Sequence, residues 1–166
     1  MEHTATRERL LQWVDPLGTT SVVRGMSGLE AMRGFRDGRF PLPPIAVLMN
    51  LVFAEAEEGR MVFEARPGEE HYNPIGSVHG GFAMTLMDSA MGCAVHTVLP
   101  AGVGYATTDV QIRLIRGMTK DTGVVRCEGV VVHVGRTTAV AEAKLYDRDR
   151  KLLGASTAGC AIIRPS

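Results

Sequence analysis

The stretch Asn73-Pro74-Ile75-Gly76-Ser77-Val78-His79-Gly80-Gly81-Phe82-Ala83-Met84-Thr85-Leu86-Met87-Asp88-Ser89-Ala90 decides how the rest of the chain is arranged. A polar loop enters a Gly-Gly pair, and a long apolar segment follows it. From Gly80 to Leu99 the only ionisable side chains are Asp88, Cys93 and His96. The segment predicts a helix from about Gly80 to Val98, stopped by Pro100-Ala101-Gly102. At about 100° per residue, Gly81, Thr85, Asp88, Ser89, Gly92 and His96 share one face, while Leu86, Met87, Ala90, Cys93, Ala94 and Ala83 lie opposite. The second face suits burial against a sheet. The first lacks the lysines and glutamates of a solvent face and suits a second subunit or a ligand. The segment is long enough for a membrane span, but Asp88, His96 and the glycines argue for burial in protein.

Asp88 is the first functional candidate, because a charge in an apolar helix is costly unless it is paired or used. It reads as a solvated helix residue, as one hydrogen-bonded to Thr85, or as a partly desolvated carboxylate working as base or nucleophile. His79-Gly80-Gly81 stands at the start of the helix, where the first N–H groups lack intrahelical partners and the dipole favours negative charge. The glycines either let a carbonyl approach those donors or simply permit a tight turn into the helix. A metal site is not indicated. His71, His79 and His96 have no helical zinc-ligand spacing, and no cysteine pair supplements them. There is no Gly-x-Ser-x-Gly elbow and no phosphate-binding glycine loop. Arg113, Arg116, Lys120, Arg136 and Lys151 fall near predicted strand ends, as scattered surface charge or as contacts for the phosphates of an acyl carrier.

Outward from this helix the chain reads as β. Ala46–Ala56 and Arg60–Arg66 form a predicted hairpin turning at Glu57-Glu58-Gly59. After the helix, Ala106–Leu114 alternates, with Thr107, Asp109, Gln111 and Arg113 expected on one face of a half-buried strand. Val124–Val134, Thr137–Tyr146 and Leu152–Ile163 complete the set, and in the second of these Ala139, Ala141, Ala143 and Leu145 oppose Glu142 and Lys144. Short turns imply antiparallel neighbours. The expected architecture is α+β, one long helix on an antiparallel sheet of about six strands. Ahead of it, residues 1–44 form an N-terminal helical arm and residues 45–166 the main domain. In the arm, Arg7–Val14 predicts a short helix ended by Asp15-Pro16. Ser27-Gly28-Leu29-Glu30 has the form of a capping box opening a helix to about Phe35. Pro41-Leu42-Pro43-Pro44 reads as a stiff connector.

At 166 residues the chain buries a good core without staples. Its formal net charge is zero, so no broad field draws it to nucleic acid or to an anionic membrane. The three cysteines fit neither a disulfide framework nor a zinc motif, and the N-terminus lacks the apolar core of a signal peptide. A reducing cytoplasm is the expected compartment.

The strand–strand–helix–β order and the series Asn73…His79-Gly80-Gly81…Asp88 resemble the hotdog-fold thioesterases, in the phenylacetate-degradation (PaaI-like) branch of the 4-hydroxybenzoyl-CoA thioesterase superfamily. The resemblance spans about Ile45 to Ile163. It implies a sheet wrapped around the central helix, pairing of subunits into a homodimer or homotetramer with sites at the interface, and hydrolysis of an aryl- or short- to medium-chain acyl-CoA. On that resemblance the backbone N–H of Gly80 polarises the thioester carbonyl, Asn73 helps to hold the carbonyl or the water, and His79 shapes the loop. Asp88 of the facing subunit activates water or attacks directly. Thr107 orients the water, with Thr108 the alternative if the alignment shifts by one. Gly81 joins the substrate contacts, and Gly135-Arg136-Thr137 resembles the turn that meets the pantetheine and nucleotide end of coenzyme A. Coenzyme A enters as part of the substrate, with no separate cofactor. A hydratase acting on an enoyl thioester and a non-catalytic acyl-CoA binding module are the alternatives. The absence of a helix-turn-helix with a basic face counts against a regulator.

Overall fold

The computed structural model describes residues 5–165; Met1–Thr4, part of the N-terminal stretch read as lacking a signal peptide, lie outside the described residues, as does Ser166. Three helices precede the first strand: α1 (Pro16–Arg24), α2 (Gly28–Arg36) and α3 (Pro44–Leu48). The sequence expectation fails at α1. Arg7–Val14 is not helical, and Asp15-Pro16 opens a helix instead of closing one. Asp15 accepts a hydrogen bond from the Leu17 N–H at 3.0 Å, and a proline at the first helical position loses nothing, since its missing N–H has no intrahelical partner there. The capping box is present: Ser27 Oγ accepts from Glu30 N–H, and the Glu30 carboxylate accepts from Ser27 N–H. Pro44 likewise starts a helical turn, so the first strand begins at Leu51 instead of Ala46, after Asn50 turns the chain at φ 51°.

The strands are β1 (Leu51–Glu57), β2 (Arg60–Ala65), β3 (Gly104–Leu114), β4 (Val125–Val134), β5 (Thr138–Tyr146) and β6 (Leu152–Ile163), with the long helix α4 (Gly80–Thr97) between β2 and β3. They form one antiparallel sheet in the order β1-β2-β4-β5-β6-β3. The limits of β2, β4, β5, β6 and α4 lie within one residue of those expected. In β5 the period of two holds: Ala139, Ala141, Ala143 and Leu145 are buried against α4 and the side chains between them face outward. The core is built from Phe82, Leu86, Met87 and Met91 of α4 against Met61, Phe63 and Leu145 of the sheet. The helix lies close on β4 because Gly129 has no side chain; a Cβ there would collide with the Ala90 carbonyl.

Helix α2 covers the C-terminal end of α4. Gly28 N–H donates to the Leu99 carbonyl at 3.0 Å, and a Cβ on Gly28 would run into the His96 carbonyl. Its Phe35 ring stacks on Phe53 of β1 at 5.1 Å, and Phe53 meets Phe63 edge-on at 4.6 Å.

β3 departs from the expected alternation. Thr107 pairs with Cys160 and Asp109 with Gly159, which leaves Thr108 as the extra residue of a bulge. From there the faces swap. Val110, Ile112 and Leu114 oppose Ala158, Ser156 and Gly154 on the helix side, and they share it with Thr107. Asp109 stands outward over Gly159, where a Cβ would collide with its carboxylate. Most of β3 is exposed, not half-buried, because it is an edge strand bonded to β6 alone.

Candidate active site

Asp88 lies in the middle of α4 on the face that the sheet does not cover, and it is exposed in the single chain. Thr107 Oγ1 donates to its Oδ1 at 3.0 Å. A hydroxyl has one proton to give, so Thr107 fixes one carboxylate oxygen. The other has no partner among the described residues. Thr85, the sequence-based alternative partner, bonds instead to the Gly81 carbonyl at 2.9 Å. Thr108 donates to Asp109 at 3.1 Å and does not reach Asp88.

At the N-terminus of α4, His79 is the cap. Its Nδ1 accepts from Gly81 N–H at 2.9 Å, so the Gly81 donor is spent on the turn. The Gly80 N–H has no hydrogen-bond partner among the described residues. The Asn73 side chain organises the loop before it: Oδ1 accepts from the N–H groups of Ile75 and Ser77, both at 3.1 Å, and Nδ2 donates to Ser77 Oγ at 2.9 Å. Asn73 and Gly80 then border one cleft of about 250 Å³ with Leu114, Ile115 and Arg116. Gly80 and Asp88 are eight residues apart on one helix, about 12 Å at 1.5 Å per residue. One chain therefore does not bring its own Gly80 donor and its own Asp88 to the same small carbonyl, which requires contacts of about 3 Å.

The turn Gly135-Arg136-Thr137 joins β4 to β5 and is tied to the end of β6 by Ile162 N–H to the Thr137 carbonyl at 2.9 Å. The Arg136 carbonyl accepts from Arg164 Nε at 3.3 Å. The turn stands at the same end of the sheet as the start of β3, apart from the Gly80 cleft.

Three residues that sequence reading did not single out for the site surround Asp88. Tyr105 rests its ring where a side chain on Gly92 would be, and its hydroxyl meets the Cys93 thiol. Desolvation pushes the Tyr105 phenol well above its usual value, with Cys93 and Asp88 adding to the effect. The Cys93 thiol is pushed up to about 12, mainly by desolvation and further by the Asp88 charge. Cys160, opposite Thr107, is raised by burial and contacts the Thr107 hydroxyl. These neighbours share low polarity and a capacity to hold protons at neutral pH. Gly92, on the small-residue face of the helix, was the one signal of them in the sequence.

The sheet-wrapped helix therefore carries an exposed carboxylate bonded to a strand hydroxyl and, at its start, an N–H without a partner among the described residues. The chain matches the thioesterase superfamily over residues 75–153. It is 36% identical over 103 residues to a protein of Saccharolobus solfataricus described as an esterase, covering 62% of this chain and 71% of that one. To the 1,4-dihydroxy-2-naphthoyl-CoA hydrolase of Listeria monocytogenes it is 26% identical over 106 residues, 63% of this chain and 84% of the relative. The PaaI protein of the Escherichia coli phenylacetic acid degradation operon has the same fold, with a TM-score of 0.72, 18% identity and coverage of 85% of this chain and 98% of that one. The chain belongs to the thioesterase superfamily, with the hotdog fold. It is a thioester hydrolase.

Proposed function

We propose that the protein hydrolyses an aryl- or short- to medium-chain acyl-CoA to the free acid and coenzyme A, in a site completed by a second copy of the chain. The observation that carries this reading is the Thr107–Asp88 hydrogen bond on an uncovered helix face. It holds one carboxylate oxygen and leaves the other for a water or for the substrate. Gly80 of the partner subunit supplies the N–H that accepts the developing oxyanion, a contribution of about 3 kcal/mol for one such donor. Asn73 and His79 hold the loop that aims that N–H, and the open cleft beside Gly80 and Leu114 receives the thioester. Asp88 takes the proton of the attacking water; the C–S bond of the tetrahedral intermediate then breaks, and the thiolate leaves with that proton. Direct attack by Asp88, through a mixed anhydride that water opens, uses the same geometry. Gly135, Arg136 and Thr137, at the end of the sheet where β3 starts, receive the carrier portion of the substrate. Gly81 and Thr108 shape the two sides of the site through the helix turn and the bulge.

Pairing through β3 follows from its open edge. Met84, Val110, Leu114 and Ile115 leave 45%, 36%, 50% and 48% of their surfaces exposed along the seam between α4 and β3, an apolar strip beside an unpaired strand that a second copy would bury. Among the described residues no helix is long and apolar enough to cross a membrane, and the three cysteines are unpaired. A reducing, cytoplasmic setting is part of this reading. The test is release of free thiol across a panel of aryl-, short- and medium-chain acyl-CoAs by wild type and Asp88→Asn. Hydrolysis by the wild type and its loss in the variant support the mechanism; full activity in the variant removes Asp88 from it.

A further inference from the structure

A second cavity, of about 510 Å³, opens where the end of α1, the C-terminal end of α4, the start of β3 and the C-terminal tail meet. Its lining includes Arg24, His96, Tyr105, Ile163 and Arg164, and no carboxylate. Several arginines elsewhere are ion-paired, among them Arg9 with Glu70, Arg36 with Asp37, Arg60 with Glu55 and Glu128, and Arg126 with Glu55 and Glu64. Arg24 and Arg164 have no acidic partner among the described residues, and Arg164 uses one N–H on the Arg136 carbonyl and keeps the rest. In contrast, the polar cleft near Arg116, Arg148 and Lys151 contains Asp121, Asp147 and Asp149, which balance its cations. The rim of the larger cavity is held in place, since Gly102 N–H donates to the Arg24 carbonyl at 3.0 Å. At its base the His96 Nδ1 is buried without a hydrogen-bond partner.

The cavity also has a defined place relative to the reacting atoms. His96 is eight residues beyond Asp88 on α4, about 12 Å along the axis. Tyr105 is two residues before Thr107 and stands between the two places. A substrate with its thioester at Asp88 and a chain of that length reaches this cavity.

We propose that the cavity receives an anionic group carried by the thioester substrate, gripped by the guanidinium groups of Arg24 and Arg164. This rests on the thioesterase reading above. The shared chemistry has two sources: a phosphate of the carrier, or a carboxylate at the far end of the acyl group. Planar guanidinium forks suit both.

Four substrates separate them: a neutral acyl group and an ω-carboxyacyl group, each carried on coenzyme A and on pantetheine, which lacks the phosphates. In the double variant Arg24→Ala/Arg164→Ala, KM rises by about ten- to a hundredfold with kcat unchanged for substrates that carry the anion. A carrier phosphate raises KM for both coenzyme A thioesters and for neither pantetheine one save the baseline. An acyl carboxylate raises it for both ω-carboxyacyl thioesters whatever the carrier. Unchanged KM for all four, or an equal rise for all four including the neutral pantetheine thioester, overturns the proposal. Arg24→Lys/Arg164→Lys, which retains charge, falls between wild type and the alanine pair, and it replaces that pair if the latter does not fold. Should the wild type hydrolyse none of the four, the thioesterase reading fails; calorimetric titration with coenzyme A and with glutarate then decides the cavity by itself. Binding lost in the variant supports it, and binding equal in both proteins, or absent in both, overturns it.

Discussion

The two edges of the sheet are treated in opposite ways. At one edge, β1 is packed by α2 and α3, and Arg33 Nε donates to its Ala56 carbonyl at 3.4 Å. Its outer face carries a mesh in which Arg60 meets Glu55, Glu57 and Glu128 while Arg126 meets Glu55 and Glu64. At the other edge, β3 has no helix along its free side and no ion pair among the described residues, and it meets the long helix through Thr107 to Asp88 and through the Tyr105 hydroxyl at the Cys93 thiol. The closed edge spends its polar groups on its own structure. The open edge keeps a carboxylate oxygen, a backbone edge and an apolar seam unused, as a surface that works with something else must.

Substitutions at the open edge should therefore affect activity, and those at the closed side stability. The largest effect is expected from Asp88→Asn: kcat/KM falls by about 10²- to 10⁴-fold, while the thermal melt followed by circular dichroism stays put. Val110→Asp places a charge on the apolar seam. Sedimentation should then show a shift to monomer, with activity lost in step with the monomer fraction; an active monomer would show that the site is complete in one chain. On the closed side, Gly129→Ala pushes a methyl into the Ala90 carbonyl and costs about 1–3 kcal/mol by denaturant unfolding, with the activity of the folded fraction retained. Thr107→Val keeps the shape of the side chain but frees Asp88, and kcat should fall by about tenfold. If it does not, the hydroxyl is ornamental to the carboxylate.

The smallest effect is in the pH dependence of the melt, and it separates the two sides by window. Hydrogen bonds from Arg126 and then Arg60 hold the Glu55 carboxyl below its usual value of 4.5. That contribution is complete above pH 4.5 and is lost as the pH falls through the lowered folded value. Burial holds the His96 imidazole below its usual 6.5, so the unfolded chain binds that proton first and stability declines as the pH falls below 6.5. Glu55→Gln should flatten the acid limb, and His96→Gln the shallower limb above it.

How legible the protein was in its sequence differs by region for physical reasons. The Ser27–Glu30 cap and the alternation of β5 were read correctly, because each depends on spacing within one element; the faces of α4 held except at Gly92 and Cys93, which Tyr105 of β3 covers. The start of α1 was misread because Asp-Pro both ends and begins helices, and only the chain after it distinguishes the two. The first strand was started too early, at Ala46 instead of Leu51, because Ala46–Leu48 is apolar enough for either state, and Pro44 in the first turn of a helix decided it. At the site, Asp88 and the His79-Gly80-Gly81 turn stood out by charge and glycine content. Tyr105, Cys93 and Cys160 did not, since ordinary apolar and thiol side chains gain meaning only from what they touch.

By itself, then, the sequence determined a long apolar helix with one carboxylate on a small-residue face, an antiparallel sheet to hold it, and the turn that exposes the start of that helix. These are local patterns, set by periods of 3.6 and 2 and by backbone preferences at Gly and Pro. The tertiary structure decided which hydroxyl meets Asp88. Thr107 reaches it because β3 takes up one extra residue at Thr108 against β6, and a bulge is a property of two strands in register, not of either one alone. The same pairing left β3 at the edge of the sheet, and so placed the carboxylate beside an open surface.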